Sequence, residues 1–84
     1  MYIKKGDGGV KKRVRLCLDR YLDEKKISRY ALAKAAGIGY PTIDNYYKNK
    51  VVRYDSDILS RIVDTLDCHV EDILEIVIEG SPER

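Results

Sequence analysis

The stretch Ser28 to Lys50, SRYALAKAAGIGYPTIDNYYKNK, decides the fold. Ser28 carries a side-chain oxygen suited to capping a helix, and Leu32, Ala33 and Ala36 recur on one helical face until Gly37 stops it. Pro41 stands where a first helical turn tolerates proline, and Ile43, Tyr46 and Tyr47 give the next helix an apolar side. Lys48, Asn49 and Lys50 close it. Two helices crossing at a tight turn account for the residue types. Ala33 must be small because the next helix passes closely over it, and Gly37 is expected at positive φ to turn the chain. Ile38, Ile43 and Tyr46 fill the wedge, which leaves positions 41, 44, 45 and 48 on the opposite side of the second helix.

Outward from this pair, Leu18, Tyr21 and Leu22 predict a preceding helix, ended by the polar run Asp23 to Lys26. Downstream, Asp55 or Ser56 caps a helix with Ile58, Leu59, Ile62, Val63 and Leu66 inward, and Val70 to about Leu74 makes a short fifth. The expectation is a mainly α, compact five-helix domain over residues 13–80, behind a basic arm at 1–12 and before a tail at 81–84. The domain's ends carry a different period. Val14, Leu16 and Leu18 alternate with Arg13, Arg15 and Cys17, and Leu74, Ile76 and Ile78 alternate with Glu75 and Glu79. The two segments can form a small antiparallel pair, with Arg13 and Arg15 beside Glu75 and Glu79. The other reading makes 13–26 one continuous helix and the tail an extension of the last one.

A net charge of +2 conceals an uneven distribution. Residues 1–27 carry nine Lys or Arg and four acids, residues 28–54 five and one, and residues 55–84 two and nine, giving +5, +4 and −7. A basic front with an acidic back is the pattern of a chain that presents one face to a polyanion. No apolar run approaches the ~18 residues that span a bilayer, and no secretory core precedes the domain, so a cytoplasmic location is expected. Cys17 and Cys68 lack metal or disulfide spacing, with each other or with His69, and read as reduced small apolar residues.

Leu32-Ala33, Gly37-Ile38 and Ile43 resemble the motif of the lambda-repressor-like helix-turn-helix proteins, the Cro and phage-repressor type also called XRE. The run Asp57-Ile58-Leu59, through Leu66-Asp67-Cys68 to Asp72-Ile73-Leu74, is similar to that family's fourth and fifth helices. The resemblance implies a transcriptional regulator, a repressor, that binds a double-stranded operator as a homodimer and lays its third helix in the major groove. It puts Tyr40, Pro41, Thr42, Asp44 and Asn45 on groove-facing positions, with Lys48 a turn further on. Of these, Asn45 suits bidentate readout of adenine, Thr42 a thymine methyl or a phosphate, and Tyr40 and Asp44 further base contacts; Asp44 has the alternative of holding Arg29 or Lys48. Arg29, Pro41, Lys48, Asn49, Lys50 and Arg53 are assigned to phosphates. The C-terminal strand is the expected dimer interface, because a strand pair has free edges.

The residues exclude other functions or give them weaker support. Catalysis would need a nucleophile, a base and a pocket, and the chain offers one histidine, no metal spacing and no phosphate-cradling glycine loop, so no enzyme activity, cofactor or metal is called for. Single-stranded or RNA binding by stacking would place tyrosines on a sheet face, whereas most of them fall in helical segments. An antitoxin-like or anti-repressor subunit on the same scaffold would show an exposed apolar patch near Ile76 to Ile78.

Overall fold

The computed structural model describes residues 11–79, so residues 1–10 of the expected arm and the expected tail lie outside the described residues. In chain order the elements are β1 (Lys11–Leu16), α1 (Leu18–Lys25), α2 (Arg29–Ala36), α3 (Tyr40–Tyr47), α4 (Ser56–Leu66), a single 3-10 turn (Val70–Asp72) and β2 (Leu74–Glu79). Local chemistry sets most of these boundaries. Ser28 Oγ accepts the Ala31 N–H at 3.0 Å to open α2, and Asp55 Oδ1 accepts from Asp57 and Ile58 at 2.8 and 3.1 Å to open α4. Gly37 ends α2 at φ +71°, as its place in the turn demands.

Four α-helices form among the described residues, and the fifth expected from the sequence is a correction. Val70–Asp72 closes only one tight turn, with the Ile73 N–H reaching the Val70 carbonyl at 3.0 Å. Asp72 folds its carboxylate back onto the His69 N–H at 2.9 Å, and the alternating β-branched run that follows pairs as a strand instead of continuing a helix.

The first and last described segments, β1 and β2, therefore meet in an antiparallel sheet, which overturns the reading of 13–26 as one helix. One face of the sheet carries Lys12, Val14 and Leu16 opposite Ile78, Ile76 and Leu74. On the other face Arg15 stands across from Glu75, but Arg13 faces Val77, so the expected pairing of Arg13 with Glu79 gives way to the register. Glu75 takes Arg15 at 3.2 Å on one oxygen and Arg20 of α1 at 2.9 Å on the other. Hydrogen bonding from Arg20, with Arg15 adding to it, holds the Glu75 carboxyl below the ordinary carboxylate range. The sheet is tied to the first helix by these charges.

The core lies where the sheet's inner end meets the four helices. Leu16, Leu18, Leu22, Leu32, Ile43, Ile62 and Ile73 are almost wholly buried, with Ala33, Ile38 and Tyr46 beside them. Each such aliphatic side chain contributes roughly 1.5–3 kcal/mol, so three or four of them match the net stability of a domain this small. Cys17 is buried and Cys68 half-buried, both as free thiols, and burial pushes both thiols up from their ordinary range. Cys17 links strand to helix: its N–H donates to the Ile73 carbonyl at 2.7 Å, and its thiol lies 3.6 Å from the Asp72 carbonyl. Among the described residues no helix is long and apolar enough to cross a membrane.

Candidate nucleic-acid interface

Helix α3 divides sharply between a buried and a solvent side. Ile43 and Tyr46 are in the core, and the Tyr46 hydroxyl accepts the Asp55 N–H at 3.0 Å, which fixes α3 against the start of α4. Turned the other way, Pro41, Asn45 and Lys48 are exposed along one ridge, with Asp44 half-buried beside it and Tyr40 and Thr42 at its margins. Ala33, small and buried, lets α3 lie close across α2.

Across this ridge runs a chain of polar contacts. Arg29, the first residue of α2, donates to Asp44 Oδ1 at 2.6 Å, and Lys48 reaches Asp44 Oδ2 at 3.1 Å. Hydrogen bonds from Lys48 and from Arg29 hold the Asp44 carboxyl below the ordinary carboxylate range, so it is an anion under physiological conditions. The Arg29 guanidinium also stacks 4.4 Å from the Tyr47 ring centroid, and the Tyr47 hydroxyl donates to Asp23 at 2.9 Å. One cation from α2 and one from α3 are thus set in place on the exposed side of the helix pair. Asp44, expected among the base-reading residues, has both of its oxygens engaged within the protein.

One other expected site residue also has a partner within the fold. Asn49 sits in the left-handed region at φ +57°, and its Oδ1 accepts the Leu16 N–H at 3.1 Å. Through this oxygen the side chain, expected on a phosphate, joins the end of α3 to β1. Tyr47 and Tyr54 pack: Tyr54 lies 6.4 Å from Tyr46, centroid to centroid, and Tyr47 sits beneath Arg29. Lys50 and Arg53 are exposed in the segment after α3, and Tyr30 is exposed on α2 with the Lys34 ammonium 5.9 Å from its ring centroid. Reasoning from sequence missed Arg20 and Asp23, whose partners lie 55 and 24 residues away.

The sequence from residue 17 to residue 79 matches the model of the Cro/C1-type HTH DNA-binding domain. The chain belongs to this family. The matched span contains α2, the turn at Gly37 and α3 with its solvent ridge. The fold is similar to the crystal structure of a proposed DNA-binding protein from Bacteroides fragilis, with a TM-score of 0.65 and 21% identity over 75% of this chain and 100% of that one. No curated protein matches the sequence. Membership in a Cro/C1-type family supports a DNA-binding regulator, and its readout residues are a separate matter.

Proposed function

We propose that this protein is a sequence-specific regulator of transcription, a repressor, that reads double-stranded DNA in the major groove with α3. The observation that carries the proposal is the exposed ridge Pro41, Asn45 and Lys48, held away from the core by Ile43 and Tyr46 on the back of the same helix. Asn45 is the principal base-reading residue, with Thr42 and Tyr40 at the edges of the contact. Arg29, Lys48, Lys50 and Arg53 engage phosphates, and Pro41 lies against the backbone. Asp44 acts on DNA through Arg29 and Lys48, whose positions it sets.

Selection of bound sequences from a random duplex pool tests this reading, and a recurring motif is the expected result. Asn45→Ala then loses roughly 1–3 kcal/mol at one base position, whereas Lys50→Ala weakens all sequences alike and lowers the salt slope. Equal losses on selected and random duplex for both variants would remove the assignment.

Two copies acting together are the second part of the proposal. Val14, Ile76 and Ile78 are exposed on one face of the sheet at 46%, 58% and 54%, and Val70 lies close by at 45%. This is also the patch that the interaction-module reading requires, and we assign it to a second copy of the chain, joined along β2. A two-fold dimer sets half-sites about one DNA turn apart, so a palindrome should emerge from the selection. Sedimentation of Ile76→Glu as monomer, with the parent as dimer, supports the assignment. A monomeric parent at high concentration, with and without DNA, would sink it.

A further inference from the structure

Arg29 is held on two sides. Its Nη1 donates to Asp44 Oδ1 at 2.6 Å, and its guanidinium carbon lies 4.4 Å from the centroid of the Tyr47 ring. Asp44 and Tyr47 both belong to α3, so two residues of one helix fix where the first side chain of α2 can go. A guanidinium carries five N–H donors in a planar fork, and the bond from Nη1 to Asp44 leaves Nε and Nη2 for an acceptor outside the protein. The Arg29 side chain keeps 35% of its surface in solvent, where such an acceptor can reach it.

The Tyr47 ring is itself tied down at its far end. Its hydroxyl donates to Asp23 Oδ1 at 2.9 Å, which crosses from α3 to α1. Hydrogen bonding to Asp23, with burial adding to it, pushes the Tyr47 hydroxyl above its ordinary range, so it stays a donor. A ring anchored at both ends offers Arg29 a fixed surface to rest on. Arginine has much rotamer freedom to lose when it meets a ligand, and a fold that has already removed that freedom spares binding the cost.

We propose that Asp23 and Tyr47 are positioning residues for DNA binding, which hold the Arg29 guanidinium in place for a phosphate before duplex arrives. The proposal rests on the DNA-binding reading of α3, with Arg29 on a phosphate, and extends what DNA binding depends on to α1, outside the helix-turn-helix. By its charge alone Asp23 opposes a polyanion. Through Tyr47 it favours one.

Affinity of the full chain for its selected duplex and for random duplex is measured across a salt series for Asp23→Ala, Asp23→Asn, Tyr47→Phe and Tyr47→Leu, each alone and combined with Arg29→Gln. Asp23 is exposed, so its replacement leaves the core untouched. The two Asp23 variants remove the same charge and only asparagine keeps an acceptor for the phenol, so alanine should bind more weakly than asparagine. Tyr47→Leu should bind about 2- to 13-fold more weakly than the parent, the range for ordering one long side chain, and Tyr47→Phe, which keeps the ring, should fall between leucine and the parent. These losses should be equal on both duplexes and vanish in the Arg29→Gln background, as coupled residues require. Arg29→Gln itself lowers the salt slope by about 0.9, whereas the positioning variants keep the parent's slope. Losses that persist in full beside Arg29→Gln mark a merely structural role and overturn the proposal. So do equal affinities for the two Asp23 variants together with a parental Tyr47→Phe, or an Arg29→Gln with parental affinity and slope. Each of these leaves the α3 reading intact, and a parent that binds no duplex overturns that reading itself.

Discussion

Replacing Asn49 separates two physical terms that meet in one residue. Its Oδ1 satisfies the N–H of Leu16, a residue only 1% exposed, and its backbone lies at φ +57°. Asn49→Ala strips the acceptor and orphans a buried N–H, at about 1–3 kcal/mol, and also puts a Cβ-bearing residue with no local polar compensation into the left-handed region, at about 1–2 kcal/mol. The total is about 2–5 kcal/mol. A domain of 84 residues has a net stability of roughly 4–13 kcal/mol, so this single change removes a large fraction of it. Asn49→Gly loses the same acceptor but relaxes the backbone, and should recover about 1 kcal/mol relative to alanine. Asn49→Asp keeps an acceptor oxygen and a side chain that tolerates this conformation, and should stay within about 1 kcal/mol of the parent. Urea unfolding followed by far-ultraviolet circular dichroism measures all three. Alanine within about 0.5 kcal/mol of the parent, or glycine less stable than alanine, would refute the argument.

Gly37→Ala isolates the backbone term alone, because the added methyl meets only the Arg61 guanidinium at an ordinary 3.9 Å while φ remains +71°. Urea unfolding should show a loss of about 1–2 kcal/mol, and a loss far beyond that would mean a clash that the geometry denies. Asp44→Asn releases Arg29 and Lys48 from their shared anion. Affinity for random duplex should rise and the salt slope steepen by up to about one per released cation; a loss confined to one base pair of the selected motif would instead make Asp44 a base reader. The depressed Glu75 carboxyl contributes stability that is present above the ordinary glutamate range, near pH 4.3, and is lost as pH falls through its lowered folded value. Thermal melts taken from neutral pH into acid should therefore fall more steeply for the parent than for Glu75→Gln, and parallel profiles would refute the pairing.

The helical elements were legible because their signals are local. Ser28, Gly37, Pro41 and Asp55 act on backbone groups within four residues of themselves, and Ile43 with Tyr46 defines a face by spacing alone. The short fifth helix failed for a related reason. Over Val70 to Leu74 the helical signal is a single turn, and the competing strand signal from Leu74 to Glu79 has a partner that lies more than fifty residues away.

The sequence by itself determined the helix-turn-helix, the side of α3 that stays in solvent and the asymmetry of charge, since period, capping and charge count are properties of neighbouring residues. Tertiary structure decided what the polar side chains do. Only folding brings Arg29 to Asp44, Asn49 to Leu16, and Arg15 and Arg20 together onto Glu75. A long polar side chain can serve bases, phosphates or its own fold, and its residue type does not choose among them. The partner within reach makes that choice, and reach is set by how the elements pack.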